Sequence, residues 1–406
     1  MPQQQPQTKE RFAILDILRG IALLGICLAN FGELSLYTFQ PDSVTASMPT
    51  ASVDNVVRFF QYFLIDGKFY TLFSLLFGIG FSILLDNCQK SGRNGNSVFY
   101  RRMTILALIG LLHLVMLWAG DILLLYALLG MLLPLMRKVS NRKLLAASVI
   151  LLLVPIFIDA FSELTDGRYS LMMPVNKAVD YFHAQAGIDS ENFGTWLRDG
   201  QSYSDVLRFN LAGSFIRIGE FIEGNRILKV FGLFLLGLYV GRKRLYADIS
   251  GNRDLLRKVR NYGFAIGIPA SLIYAWNAIA DHSIGITGSS ALYAISVVPM
   301  GLAYAATIYL WYDRSRIKKR LTPLANTGRM ALTNYIGQSI AGMIIYYGIG
   351  FGLGASMGLI YVQLIAVGVF ILQMVFSNMW LKYFQYGPLE WIWRMLTYGK
   401  VLKLIK

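Results

Sequence analysis

Long apolar runs separated by short polar segments make up most of the chain. A run of about 20 apolar residues is long enough to cross a bilayer once as a helix. Such runs lie near residues 12–38, 69–86, 103–118, 122–136, 144–161, 227–241, 262–280, 287–311, 330–350 and 358–381. The pattern therefore predicts an all-α integral membrane protein with roughly ten transmembrane helices, forming a single polytopic membrane domain over residues 1–406.

The apolar stretch 108–134 contains two ionisable residues, His113 and Asp121. Gly120 interrupts it, which predicts two helices joined by a tight turn at 118–120. Because an ionisable side chain inside a span is costly unless it pairs or faces water, both residues are functional candidates. Asp121 can cap the second helix or orient the His113 imidazole, but contact between them requires the turn to fold Asp121 back. Alternatively, His113 is a buried neutral ring bonded to a neighbouring helix.

The loops alternate in charge along the chain. Basic residues concentrate in the segments 90–102, 137–143, 242–260 and 314–320, whereas the other loops are short or mixed in charge. Since basic loops stay on the cytoplasmic side, an even number of spans with both termini inside satisfies this pattern. The longest outer loop, about 162–225, is expected to carry amphipathic helices, and the tail, about 387–406, to form an amphipathic helix in the interface.

Composition supports this class of protein. Hydrophobic residues make up 55% of the chain and charged residues only 15%. The net charge of +15 is explained by the cytoplasmic loops, so we expect no nucleic acid partner. The three histidines form no metal-binding motif, and no metal site is predicted. Cys27 and Cys88 lie at different depths, so no disulfide is expected.

The first span carries polar residues near both of its ends. Arg19 and Asn30 are eleven residues apart, so they share a face and are separated by about 16 Å along the axis. Asp16 is close enough to Arg19 for a local ion pair, and an interfacial pair of this kind is the alternative to a binding role.

Four further residues are candidates for substrate binding. Lys68, at the outer end of the second span, can either pair with Asp66 at headgroup level or bind an anionic group in a cavity. Asn334 and Gln338 are one turn apart on one face of the ninth span, where amides also bridge helices. Arg329 precedes them at the cytoplasmic entrance, a suitable place for an anion.

Five long stretches resemble the YeiB-type membrane proteins, a family defined by a domain of unknown function. They are LDILRGIALLGICLANF, KFYTLFSLLFGIG, GLLHLVMLWAGDILLLYALLG, TGRMALTNYIGQS and YFQYGPLEWIWRMLT, and they run in order from the first span to the tail. The family is grouped with the transmembrane acyltransferases, which include O-acetylating enzymes of bacterial saccharides and the lysosomal heparan-alpha-glucosaminide N-acetyltransferase. The resemblance implies an acyltransferase-like helical bundle in the bacterial cytoplasmic membrane.

The same resemblance implies an acyl donor, such as acyl-coenzyme A, on the cytoplasmic side and an envelope saccharide or lipid-linked acceptor outside. The O-acetylating relatives carry a catalytic histidine at the position that Asn30 occupies here. If acyl transfer occurs, His113 is the intramembrane candidate for the general base, with Asp121 as its orienting group. Asn30, Asn334 and Gln338 would then be polar groups of the pocket. Arg19 and Arg329 would meet the donor's phosphates.

The sequence is compatible with two other classes of function. Polar stripes inside a helical bundle also suit a transporter or flippase of an envelope metabolite, with His113 as a protonatable gate. The chain can equally be a non-catalytic membrane partner. Membrane lipids are expected partners in each case, and a homo-oligomer is compatible with all three.

Overall fold

The computed structural model describes residues 12–168, 172–280, 283–312 and 315–406. Within these ranges the chain is helical apart from turns and an isolated β-bridge between Phe384 and Ile405. The helices in chain order are α1 (Ala13–Leu34), α2 (Asp42–Ser47), α3 (Ala51–Phe60), α4 (Lys68–Lys90), α5 (Gly95–Met116), α6 (Leu123–Gly130), α7 (Asn141–Leu164), α8 (Met173–Ala186), α9 (Trp196–Asp199), α10 (Tyr203–Glu223), α11 (Arg226–Arg242), α12 (Arg253–Ile279), α13 (Gly285–Tyr312), α14 (Ser315–Arg329), α15 (Ala331–Tyr346), α16 (Leu359–Tyr383) and α17 (Pro388–Tyr398).

Each apolar run predicted as a span falls on helical structure. Among the described residues, seven helical segments are long and apolar enough to cross a membrane: α1, α3 with α4, α5, α7, α12, α13 and α16. The other three predicted spans are shorter: α6 has 8 residues and is extended by a 3₁₀ turn at Leu133–Lys138, α11 has 17 and α15 has 16. The protein is therefore an all-α, multi-pass membrane protein, as predicted.

The basic loops meet at one end of the bundle, which we call the basic end. Arg242 donates to the carbonyls of Met136 and Val139, and Arg101 donates to the carbonyl of Thr397 in α17. The start of α1 packs on α14 at the same end. Both ends of the described chain thus lie at the basic end, as the N-in, C-in prediction requires. The opposite end, which carries the described residues 172–225, is called the outer end.

Glycines set the closest helix contacts. α1 and α14 cross where Gly20 lies against the backbone of Leu324 and Gly328 lies against the backbone of Asp16. α4 and α11 approach in the same way at Gly78 and Gly237. Without a hydrophobic driving force between helices in lipid, such close packing of small residues supplies much of the attraction.

A matched pair of glycine substitutions tests this packing. In Gly328→Ala the new Cβ would overlap the Asp16 backbone, so we expect the variant to lose about 1–3 kcal/mol of stability. Gly368→Ala in α16 places its Cβ in open space and should be neutral or gain up to about 1 kcal/mol from helix propensity. Thermal unfolding of the purified protein in detergent measures both, and equal melting temperatures would contradict the proposed packing.

Candidate functional site

A cavity of about 2440 Å³ runs along one face of α1. Its wall includes Asp16 and Arg19 near the start of this helix and Asn30 and Glu33 near its end. Asp16 and Glu33 are separated by about 26 Å along the axis at 1.5 Å per residue, which approaches the roughly 30 Å thickness of a bilayer core. The cavity therefore extends through most of the bundle, from the basic end to the outer end.

Positive charge dominates the basic end of the cavity. Among the described residues, its wall there carries six basic side chains (Arg19, Lys90, Arg93, Arg102, Arg329 and Arg394) and two carboxylates (Asp16 and Glu390). The Asp16 carboxylate is already engaged by Arg19 at 2.7 Å. Arg102 lies over the ring of Trp393, 3.8 Å from its centroid. The excess of arginines suits recognition of an anionic group such as a phosphate.

At the same end, the Glu390 carboxylate accepts hydrogen bonds from the first turn of α15. Its Oε1 accepts the N–H groups of Leu332 at 2.7 Å and Thr333 at 3.0 Å, and its Oε2 accepts the Thr333 hydroxyl at 2.6 Å. Burial raises the pKa of Glu390 above its ordinary value, whereas these hydrogen bonds act in the opposite direction. The carboxylate thus caps the N-terminus of α15 and connects it to α17.

Alternating charges form a chain at the outer end. Arg217 of α10 donates to Glu33 of α1 at 2.8 Å and to Glu220 at 2.5 Å, and Arg226 of α11 lies 3.6 Å from Glu220. All four side chains line the cavity. Arg217 also donates from Nε to the carbonyl of Ala119 at 3.0 Å. One arginine therefore joins α1, α10 and the turn between α5 and α6.

Behind the cavity wall, His113 and Asp121 form the pair that the sequence suggested. The His113 Nδ1 lies 2.8 Å from Asp121 Oδ2, because α5 ends at Met116 and the chain turns back before α6. Asp121 Oδ1 accepts the N–H of Leu124 at 2.8 Å and so also caps α6. The His113 Nε2 lies 2.8 Å from the Ser339 hydroxyl of α15. Sequence reasoning missed Ser339, since a serine in an apolar helix carries no specific signal.

The imidazole does not line the cavity. His113 is 1% exposed, and both of its ring nitrogens have partners. The rings of Tyr335 and Trp118, centred 5.2 and 6.3 Å from that of His113, belong to the cavity wall instead. In this conformation His113 positions the turn and α15. A direct role as general base, with Asp121 as its orienting group, stays a prediction.

The other predicted residues fall into two groups. Arg19, Asn30 and Arg329 line the cavity. Lys68 does not, because it is fully buried and donates to the Tyr62 carbonyl at 2.6 Å.

The amides of the ninth predicted span also lie away from the cavity. Asn334 donates to the Thr327 carbonyl and to the Ser377 hydroxyl, both at 3.0 Å. Gln338 donates to Gln373 at 3.2 Å. These amides bridge α15 to α14 and α16, which is the alternative that the sequence left open.

Comparison with known proteins assigns the family. Residues 240–400 match the family model described as protein of unknown function (DUF418). The chain is 30% identical over 416 residues to the uncharacterized protein YeiB of Escherichia coli (strain K12), covering 96% of each chain. It is 29% identical over 406 residues to the uncharacterized protein YxaH of Bacillus subtilis (strain 168), covering 97% of this chain and 96% of that one. The chain therefore belongs to the YeiB-like family, as the resemblance predicted.

Removal of the buried imidazole tests the structural role of His113. In His113→Ala the Asp121 carboxylate stays buried without its imidazole partner, so we expect a loss of about 3 kcal/mol or more. Ser339→Ala removes one hydrogen bond and should cost about 1–3 kcal/mol. Thermal unfolding in detergent is the measurement, and wild-type stability of His113→Ala would show that the pair does not hold the turn.

The cap of α15 can be tested separately. Glu390→Ala should lower the stability by about 1 kcal/mol, because two backbone N–H groups lose their acceptor. Glu390→Gln retains a side-chain oxygen for these groups and should lie between Glu390→Ala and the wild type. If both variants unfold at the wild-type temperature, the carboxylate is not a structural cap and is free to act in the cavity.

Proposed function

We propose that the protein is a membrane-bound acyltransferase of the bacterial cell envelope. It would take an acyl group from acyl-coenzyme A at the basic end, placed on the cytoplasmic side of the inner membrane, and transfer it to a saccharide or lipid-linked acceptor at the outer end. The single observation that carries this proposal is the cavity along α1. It joins the arginine-rich basic end, where Arg19 lies on the wall, to the outer end, where Asn30 lies on the wall.

Acyl transfer sets definite demands on this cavity. The acceptor oxygen or nitrogen forms a bond to the acyl carbon, and the carbon–sulfur bond of the thioester breaks. The acceptor proton passes to a base, and the coenzyme leaves as a thiolate that takes up a proton. Oxygen charge develops at the acyl carbonyl, where an amide donor such as Asn30 would stabilise it.

We assign the base to a group on the cavity wall. Glu33 lies one helical turn beyond Asn30 on the same face of α1 and lines the cavity. Its side chain is 33% exposed and is held at one oxygen by Arg217. Glu33 thus meets the requirement of access to the acceptor, which His113 in its buried place does not.

The same cavity favours one rival function. A path from end to end along α1 also suits a transporter or flippase, which needs polar walls but no thioester chemistry. The rival predicts movement of an unmodified substrate and no cleavage of an acyl donor.

Reconstituted protein distinguishes the two functions. We expect acetyl-coenzyme A at the basic end to release coenzyme A only when an acceptor saccharide is present at the other end, as measured by mass spectrometry. Arg394→Gln should raise the KM for the donor about tenfold through loss of a charge-assisted contact. Glu33→Gln should lower kcat by about 100-fold or more. Lys143→Gln, an exposed basic residue outside the cavity wall, is the control.

The proposal fails if folded protein neither binds acetyl-coenzyme A at millimolar concentration nor cleaves it with any acceptor in the panel. Uptake of an unmodified saccharide under those conditions would establish the transport function instead.

A further inference from the structure

We propose that the outer third of the cavity contains a second anion site, built from Lys229, Arg226, Tyr70 and Tyr293, that binds a phosphate group of the acceptor. This inference rests on the proposed function, because it assumes an acceptor of the acyl group and specifies that this acceptor carries a phosphate. It is separate from the arginines of the basic end, because α11 begins at Arg226 on the outer side and reaches the basic end only at Arg242.

Lys229 is the central observation. It lines the cavity about one turn inside α11, and its ammonium group lies 4.2 Å from the centroid of the Tyr293 ring. Its hydrogen bond is to the Gly224 carbonyl at 3.0 Å, and no carboxylate of the described residues forms an ion pair with it. A cation that lines a cavity within the bundle without an ion-pair partner is a candidate for ligand binding.

The carboxylates around Lys229 are committed to other groups. Asp66 and Asp159 act on it electrostatically. Asp66 accepts the Tyr274 hydroxyl at 2.6 Å. Asp159 accepts the Asn225 amide at 2.8 Å and the Ser290 hydroxyl. Both carboxylates therefore accept hydrogen bonds from neutral groups, and Lys229 keeps donors for a ligand.

Two tyrosines add hydroxyl groups to the cavity wall within electrostatic range of Arg226. The Tyr70 hydroxyl is buried and has no hydrogen-bond partner among the described residues, although the residue lines the cavity. The Tyr293 hydroxyl lies beside Gly67, another residue of the wall. Arg226 is near enough to act electrostatically on both hydroxyls. A buried hydroxyl without a partner costs stability unless a ligand or water satisfies it.

Together these groups suit a tetrahedral phosphate. Lys229 and Arg226 supply charge-assisted donors, and two phenolic hydroxyls supply neutral ones. Arg226 also ends the charge chain that begins at Glu33, so a phosphate bound there would be tied to the side chain proposed as base. An acceptor held by its phosphate would present its hydroxyls to the cavity.

Binding of defined phosphates to the full chain tests the site. The protein is placed in phosphatidylcholine nanodiscs and titrated calorimetrically with sn-glycerol 3-phosphate and with glycerol. We expect saturable binding of the phosphate and none of glycerol. Lys229→Gln should weaken the affinity about tenfold, and Tyr70→Phe about threefold. Lys177→Gln, an exposed lysine of α8 outside the cavity wall, should leave it unchanged.

Nanodiscs that contain phosphatidylglycerol identify the source of the phosphate. If the headgroup of a lipid is the ligand, this lipid should be retained by the wild type through purification and lost from Lys229→Gln, and it should compete with sn-glycerol 3-phosphate. A soluble phosphate as ligand predicts equal titrations in both kinds of nanodisc.

Three results would overturn the inference. The first is that neither sn-glycerol 3-phosphate nor phosphatidylglycerol binds, and the second is that Lys229→Gln and Lys177→Gln bind with equal affinity. The third is that binding is lost in Arg394→Gln but not in Lys229→Gln, which would place the phosphate at the basic end. Binding at Lys229 without any thioester cleavage would leave the site standing and remove the transferase. If the protein transfers an acyl group to an uncharged acceptor, and Lys229→Gln does not alter this activity, the transferase stands and the phosphate site is removed.

Discussion

The hydrogen-bonded chain from Asp121 through His113 to Ser339 is the interaction on which the centre of this bundle depends. Water does not satisfy polar groups in the interior of a bilayer, so each must find a partner within the protein. The chain satisfies both nitrogens of one imidazole and, through Asp121, also caps α6. It fixes α15 against the turn between α5 and α6. Arg217 then docks on the Ala119 carbonyl of that turn and brings the outer helix α10 onto the bundle.

The same constraint separates polar groups that support the fold from those that remain available to a ligand. Asn334, Gln338 and Lys68 are buried and donate their hydrogen bonds within the protein. Arg394 faces the cavity and lies over the Tyr386 ring, and Lys229 faces it without an ion pair to any described carboxylate. Groups of the second kind are candidates for ligand binding, since they reach the cavity and groups of the first kind do not.

Helical periodicity explains what the sequence could predict. It indicates which residues share a face, so Arg19 and Asn30 were correctly placed on one stripe, and the apolar runs all became helices. It does not tell which neighbour that face meets, and the equally polar stripe of Asn334 and Gln338 turned out to face α16. Contacts between distant segments, such as Arg217 with Glu33, depend on the tertiary packing and leave no local pattern.

A buried histidine can influence this cavity without touching a ligand. His113 holds Asp121 and thereby the turn whose Ala119 carbonyl accepts from Arg217. Arg217 in turn holds one oxygen of Glu33 on the cavity wall. Loss of the imidazole would therefore displace the Glu33 carboxylate, because three successive contacts connect the two groups. In the acyltransferase that we propose, this arrangement would place the accessible proton acceptor, Glu33, on the wall and give His113 the task of keeping that wall in place.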